Sequence, residues 1–282
     1  MKKVGLGFLF TLVLIITTSP AYAADIQIKV DGVVLESDVS PENSNNRTMV
    51  PLRVISENLG ANVNWLGSEI TLTKNDMQVI LKLNSNTVLK NGKTELIDVK
   101  PYIKNNRTIV PLRFLAETFG CNVNFENATV TVDSKPLTID GVKVKVMQEE
   151  YHMTMGGVVQ QIKGNAYNEA IYNIFIENKG SVVEAPANYS WQYTMDTLGS
   201  YYKDGQYDFL DAEGNSIKRF DIYTLIKTFP AEILNGYPEV LLYDVTENQW
   251  YLFNEVARQS IDQLIDTALG NGFLKIISNT VV

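Results

Sequence analysis

The chain has 282 residues, 45% hydrophobic and 20% charged, so it can bury a core, and its length leaves room for about two domains. Its formal net charge of −8 argues against the clustered basic surface that binds nucleic acid or anionic lipid. One cysteine excludes an intrachain disulfide, and one histidine leaves too few ligands for most zinc sites.

The first 23 residues have the pattern of a secretory signal peptide. Lys2 and Lys3 precede an apolar run over 4–16, and residues 21–23 (AYA) match an A-x-A cleavage site. We expect cleavage after Ala23, which would export the rest of the chain and leave it without a transmembrane anchor. An uncleaved membrane anchor is the alternative, but the apolar run is shorter than the ~20 residues of a membrane span.

The next part of the chain contains an internal duplication. Residues 45–65 (NNRTMVPLRVISENLGANVNW) and 105–125 (NNRTIVPLRFLAETFGCNVNF) match at a constant offset of 60, and the match extends outward on both sides. Self-similarity at a fixed period indicates a repeated structural unit. The sequence predicts one tandem domain over 24–134, with repeats at about 26–80 and 86–133.

Each copy predicts the same order of elements. A hairpin turn and a short extended run lead to a proline, Pro51 or Pro111, at the first position of a helix of eight or nine residues. Gly60 and Gly120 supply the left-handed residue that ends such a helix. Because so short a helix is unstable alone, we expect it to lie on a sheet formed by its own flanking strands. The two units would then lie side by side or share a sheet.

Each predicted helix carries an arginine four residues before a glutamate, Arg53 before Glu57 and Arg113 before Glu117. This order suits the helix dipole less well than the reverse. We therefore expect the two arginines to contact a carboxylate on a neighbouring strand or loop. An exposed ligand-binding role is the alternative.

Arg47 and Arg107 lie in the two Asn-Asn-Arg-Thr loops and are the better candidates for surface recognition. The alternative is that these loops are simply turns stabilised by their Asn and Thr side chains.

The segments NRTMVPLRVISENLGANVNW and NRTIVPLRFLAETFGCNVNF, each preceded by a hairpin, resemble the copper amine oxidase N-terminal-like domain, also called the stalk domain. The usual glycine before the arginine is Asn46 or Asn106 here. The resemblance covers about 26–133. It implies a small antiparallel sheet wrapped on a helix, found in secreted or wall-associated proteins of Gram-positive-type bacteria. It does not imply oxidase chemistry, since the module is peripheral in amine oxidases.

Copper amine oxidase chemistry needs three histidine ligands, and this chain has only His152. We expect no metal and no cofactor, with His152 in a structural role. Cys121 occupies the position of Ala61 in the first repeat, which favours a small buried side chain over a reactive thiol.

Residues 135–282 do not repeat the pattern and predict a separate α+β domain of no recognised family. Residues 170–177 read as a strand and 255–269 as an amphipathic helix. The stretch 189–209 is rich in aromatic residues at strand spacing. Trp191 and Tyr193 are candidates for an exposed platform that stacks on sugar rings, and the alternative is an aromatic sheet core.

Four acidic residues follow closely, at positions 204, 208, 211 and 213. They would suit a calcium site or the general acid and base of a glycosidase. The alternative is solvated hairpin turns, and no EF-hand spacing is present. The four residues are Asp204, Asp208, Asp211 and Glu213.

The predicted fold class is therefore α+β: two small antiparallel-sheet-plus-helix repeats followed by a separate α+β domain. The predicted function is that of a secreted, non-catalytic protein of the cell surface or cell wall. Its expected partner is a wall glycan or another surface protein, not nucleic acid. The alternative is an envelope hydrolase with a carboxylate-based site in the C-terminal half.

Overall fold

The computed structural model describes residues 26–281, so the predicted signal peptide lies outside the described part. The chain is α+β and mostly strand, with 45% strand and 18% helix. Within 26–281 no helix combines the length and apolarity needed to cross a bilayer.

The N-terminal half contains thirteen strands and two short helices among the described residues. In chain order they are β1 (Gln27–Val30), β2 (Val33–Val34), β3 (Glu42–Ser44), β4 (Arg47–Pro51), α1 (Leu52–Asn58), β5 (Asn62–Leu66), β6 (Glu69–Lys74), β7 (Met77–Lys82), β8 (Thr87–Lys90), β9 (Lys93–Leu96), β10 (Tyr102–Lys104), β11 (Arg107–Pro111), α2 (Leu112–Thr118), β12 (Asn122–Glu126) and β13 (Thr129–Asp133).

These strands form three sheets, and each sheet combines strands from both copies of the duplicated sequence. Their strand orders are β12-β13-β1-β2, β10-β11-β4-β3 and β5-β6-β7-β8-β9. The expectation of purely antiparallel sheets is wrong at one pair, because β1 runs parallel to β13, with Ile28 opposite Val130. A parallel pair needs a long connection. Here residues 31–128 form that connection.

The two helices lie between these sheets. Each contacts strands of both copies: α1 lies against β4, β5 and β11, and α2 against β4, β11 and β12. Each helix therefore lies on its own flanking strands, as predicted, and also on a strand of the other copy, so the two units share a sheet. The reason is the pairing of β4 with β11, which places the central strands of the two copies side by side.

Local signals fix the ends of the helices. Pro51 and Pro111 precede the first helical residue with extended backbone, one position earlier than predicted. Gly60 and Gly120 have φ of +82° and +72°, as predicted. The Gly60 N–H donates to the Glu57 carbonyl, and the next residue's N–H donates to the carbonyl of residue 56. This pair of bonds is a Schellman motif, and the second copy repeats it.

The C-terminal half is built on one large sheet. Its elements are β14 (Thr138–Ile139), β15 (Val142–Lys143), β16 (Val146–His152), β17 (Gly157–Ile162), α3 (Asn165–Glu177), β18 (Val182–Val183), β19 (Asn188–Ser190), β20 (Ser200–Leu210), β21 (Ser216–Leu225), α4 (Ala231–Leu234), β22 (Val240–Asp244), β23 (Gln249–Phe253), α5 (Glu255–Gly270) and β24 (Leu274–Asn279).

The strand order of the large sheet is β18-β23-β22-β21-β20-β16-β17-β24, with β19 added beside β20. Helix α5 follows the prediction for 255–269 closely. The strand predicted at 170–177 is wrong, because this segment belongs to helix α3. Tyr167, Ile171 and Phe175 are four residues apart and all buried, which is the spacing of one helix face.

The two halves share one continuous apolar core, and a polar junction adds to their contact. The Asp31 carboxylate, at the end of β1, accepts hydrogen bonds from the backbone N–H groups of Ser134 (2.8 Å) and Asn165 (2.9 Å). The Tyr167 hydroxyl donates to the Asn58 side chain at 2.9 Å. A charged end of β1 therefore anchors both the linker and the start of α3.

A buried ionic cluster stabilises the C-terminal sheet. Asp244 is fully buried, and its carboxylate lies 2.7 Å from Lys218 Nζ and 2.5 Å from Lys179 Nζ. The Lys218 side chain is only 7% exposed. A buried charge that loses its partner cannot recover the lost interaction from water.

We expect Asp244→Asn to reduce the free energy of unfolding by about 3 kcal/mol, because it removes the buried carboxylate shared by two lysines and leaves them only the partly exposed Glu247. Urea denaturation of the variant measures the loss. Glu239→Gln is the matched control, since Glu239 pairs with Lys227 at the surface and such a pair contributes at most about 1 kcal/mol. Equal losses in the two variants would contradict the prediction.

Candidate functional site

The two loop arginines form ion pairs between the copies. Arg47 Nε donates to Asp98 at 2.7 Å, and Arg107 lies 2.6 Å from Asp38. The residues of one pair are related to those of the other by the offset of 60, so the contact is reciprocal. Both pairs are substantially exposed. The structure therefore shows these arginines in intrachain contacts at the surface.

The helix arginines make the contact that the sequence argument disfavoured. Arg53 lies 3.8 Å from Glu57, and Arg113 lies 4.0 Å from Glu117, four residues along the same helix. The expected pairing with a neighbouring strand or loop is wrong. These side chains are exposed, so solvent and ions screen their unfavourable interaction with the helix dipole. Each arginine then pairs with the glutamate that lies nearest to it along the helix.

The aromatic stretch of 189–209 is divided between two faces of the large sheet. Tyr207 packs against Phe175 of α3, so it belongs to the core beneath the helices. Tyr201 belongs to a second cluster on the opposite face, with Tyr223 and Trp250. A register shift in β20 between residues 203 and 205 separates these two faces. The core interpretation is thus correct for part of the stretch.

Trp191 and Tyr193 line a surface groove, as the platform hypothesis requires. This aromatic groove has a volume of about 660 Å³ and is lined by Met153, Thr154, Trp191, Gln192, Tyr193 and Tyr202. Tyr193 is 57% exposed, and its ring centroid is 6.0 Å from that of Tyr202. Exposed aromatic side chains grouped in a concave surface are typical of a binding site.

Trp191 is held by contacts with the sheet. Its indole stacks on the His152 ring, with centroids 4.2 Å apart and an angle of 12° between the planes. Lys203 Nζ lies 4.5 Å from the indole centroid and 2.6 Å from Asp221. Burial lowers the pKa of Lys203, and the charge of Asp221 opposes this effect. The indole therefore has a fixed orientation at the edge of the groove.

The four acidic residues do not form one site. Asp204 lies on the α5 side of the sheet and interacts with Arg258, whereas Asp208 lies on the opposite side and interacts with Arg219. Burial raises the pKa of both carboxyls. Asp211 accepts two backbone hydrogen bonds within the β20–β21 turn, from the N–H groups of residues 213 and 215. The four therefore do not supply the converging carboxylate pair of a glycosidase, and the turn interpretation holds for Asp211.

No group of three or more potential metal ligands is found within 26–281. Cys121 is buried, as predicted, and burial raises the pKa of its thiol to about 11. A thiol with that pKa is almost entirely protonated at neutral pH and is a poor nucleophile.

The structure also shows a buried carboxyl that the sequence analysis missed. Glu149 on β16 is 7% exposed, and its side chain accepts a hydrogen bond from Gln160 at 2.5 Å. Burial raises its pKa to about 7, and the neighbouring Asp262 and Asp266 of α5 add to the effect. No sequence pattern pointed to this residue, because a single glutamate in a strand is expected to be exposed.

Glu149 makes stability depend on pH. Its folded pKa lies above its unfolded value, so below about pH 4.5 it is protonated in both states and contributes no difference. Between about pH 4.5 and 7 the unfolded state ionises while folded Glu149 keeps its proton, so the free energy of unfolding falls over this range, and above about pH 7 the loss is constant. We expect Glu149→Gln to leave the free energy of unfolding nearly unchanged at about pH 4 and to raise it by up to about 3 kcal/mol at pH 8.

Urea denaturation at the two pH values tests this, with Glu126→Gln as the control, because Glu126 is exposed. A Glu149→Gln variant that is equally destabilised at both pH values would contradict the raised pKa.

The comparisons with known proteins concern the N-terminal half. The family model of the copper amine oxidase N-terminal domain matches residues 29–134. No curated protein and no solved structure matches the chain. The matched domain is a non-catalytic, stalk-like domain.

Proposed function

We propose that the chain is a secreted, non-catalytic binding protein of the cell surface or cell wall. In this proposal the signal peptide of residues 1–23 is removed, and two tandem stalk-domain copies over 24–134 present the α+β domain of 135–282. The ligand is a wall glycan or another surface protein, bound in the aromatic groove. The observation that carries the proposal is the grouping of Trp191, Tyr193 and Tyr202 in that groove.

Several features support the tandem arrangement. The offset of 60 relates not only the helices but also the reciprocal ion pairs and a small core of four residues, in which Val39 and Met49 pack with Val99 and Ile109. In this scaffold the two copies are joined by direct strand pairing. This arrangement suits a supporting role.

The binding role follows from the chemistry of the groove. Aromatic rings bury much area at low entropy cost, and the hydroxyl and amide groups of Thr154, Gln192 and Tyr193 can form hydrogen bonds beside them. Sugars combine an apolar ring face with hydroxyl groups. The groove offers complementary groups for both.

The groove is tested by sedimentation of the purified chain with peptidoglycan sacculi. We expect Tyr193→Ala and Trp191→Ala each to weaken binding about thirtyfold, as truncating a central aromatic residue costs ~2 kcal/mol or more. Phe125→Ala is the matched control. The exposed fraction of Phe125 (55%) is close to that of Tyr193 (57%), but Phe125 lies in the other half of the chain. Retention no greater than that of an unrelated acidic protein, or equal losses in all three variants, would overturn wall binding through the groove.

Export is tested separately by intact-mass analysis of the protein recovered from the culture medium and from the cell-wall fraction. We expect a chain that begins at Ala24, because the AYA sequence ends at residue 23. Recovery of the protein only from the cytoplasm, with residues 1–23 attached, would contradict this.

A further inference from the structure

His152 lies where the large sheet divides beside β20. β16 pairs with β20 only as far as Glu150, and β19 pairs with the start of β20, at residues 200–202. The residues that line the aromatic groove directly follow β16, directly follow β19 or belong to β20. The groove therefore opens at this division, and His152, the last residue of β16, lies beside it.

The His152 imidazole packs against a glycine on one neighbour and an indole on another. Gly157 is opposite His152 in the pairing of β16 with β17, and a methyl group at Gly157 would lie 2.9 Å from the imidazole Cδ2. The Trp191 indole stacks on the same imidazole at a centroid distance of 4.2 Å. The missing side chain at Gly157 thus leaves the space in which the imidazole supports Trp191.

Two of the aromatic residues of the groove contact His152. Trp191 contacts its ring, and the Tyr202 hydroxyl donates a hydrogen bond to its backbone carbonyl. Trp191 begins the segment of 191–199, which has no regular secondary structure. The stack on His152 therefore fixes the first residue of this segment against the sheet.

The charge of His152 affects both of its side-chain contacts. Its Nε2 lies 2.9 Å from Glu150 Oε1, and a hydrogen bond between an imidazolium and a carboxylate is about twice as strong as a neutral one. An imidazolium stacked on an indole also gains a cation–π interaction. A proton on His152 therefore strengthens its contact with Glu150 and its contact with Trp191.

Other charges on this face of the sheet act more weakly on His152. Lys203 Nζ lies 4.5 Å from the Trp191 ring centroid and opposes a second cation there. Its charge is shared with Asp221, which lies 2.6 Å away and also binds Arg219. Glu150 contacts the imidazole directly and has the opposite charge, so its attraction is the larger effect. The neighbouring strands present these titratable or charged groups: Glu150 from β16, none at Gly157 of β17, Tyr202 and Lys203 from β20, and Arg219 and Asp221 from β21.

We propose that protonation of His152 fixes Trp191 and thereby tightens binding in the aromatic groove. Histidine is the side chain that ordinarily changes charge between about pH 5 and 8. A groove whose wall is already fixed loses less conformational entropy when the ligand binds. The proposal rests on the proposed function, since it takes the groove as the binding site, and it adds regulation of that site by pH.

The first test needs no ligand. A protonated imidazole in contact with an indole quenches its fluorescence, so we expect the tryptophan emission of the chain to fall between about pH 8 and pH 5.5. His152→Phe keeps a flat ring for the stack but cannot take a proton, and Trp191→Phe removes the reporter while Trp65 and Trp250 remain. The fall should be absent from both variants.

The same variants separate His152 from the other group that titrates in this range. Glu149, whose pKa is about 7, interacts with Asp262 and Asp266 of α5 rather than with the groove. It is present in the unchanged chain and in His152→Phe alike, so any effect of Glu149 appears in both. A fall in emission of equal size in the unchanged chain and in His152→Phe would overturn the proposal.

The second test is sedimentation with peptidoglycan sacculi at the same two pH values. We expect the unchanged chain to bind about fivefold more tightly at the lower pH, the effect of one cation–π contact. His152→Phe should bind at the higher pH as the unchanged chain does, and the sacculi should give it no such gain at the lower pH. His152→Ala, which also loses the stack, should bind about fivefold more weakly than His152→Phe at both pH values.

The outcomes distinguish this proposal from the proposed function. Equal pH dependence of binding in the unchanged chain and in His152→Phe would keep the groove as the binding site and overturn its regulation by His152. Loss of binding in His152→Phe as severe as in His152→Ala would also overturn the proposal, because the stack would then not be what fixes Trp191. No binding to sacculi at either pH would overturn the proposed function, and the emission of Trp191 would still decide whether protonated His152 contacts the indole.

Discussion

The pairing of β1 with β13 is the constraint on which the N-terminal half depends. It joins the first strand of the duplicated segment to the last, so the segment closes on itself. The pairing of β4 with β11 then places the two helices and the two ion pairs in reciprocal positions. Because Asp31 ends β1, the same strand also anchors the C-terminal half. The scaffold and its junction thus rest on one strand.

Local features of the fold could be predicted, because they depend on neighbouring residues. Gly60 and Gly120 end their helices through backbone conformations that only glycine adopts easily. Strand partners could not be predicted in the same way. Two copies with nearly identical strands offer nearly equal pairings within a copy and between copies, and the hydrophobic pattern does not distinguish them. Which pairing forms depends on long-range packing, including that of the two helices against strands of both copies.

The aromatic stretch beside the candidate site shows the same limit of prediction from sequence. Alternation along β20 places Tyr201 and Tyr207 on one face in an ideal strand. The bulge next to Gly205 shifts the phase, so Tyr201 lies on one face and Tyr207 on the other. The aromatic character of the stretch was therefore readable, but the division between core and surface was not. Trp191 and Tyr193 precede β20 and remain available to line the groove.

The closed segment has a consequence for how the chain folds. During synthesis β1 appears first, and its partner β13 follows only after roughly a hundred further residues, a separation that slows folding. Until then β1 presents unpaired backbone groups, which invite pairing with another chain. Two nearly identical copies also allow a strand of one molecule to pair with the matching strand of another, which is the domain swapping by which repeat proteins commonly misfold.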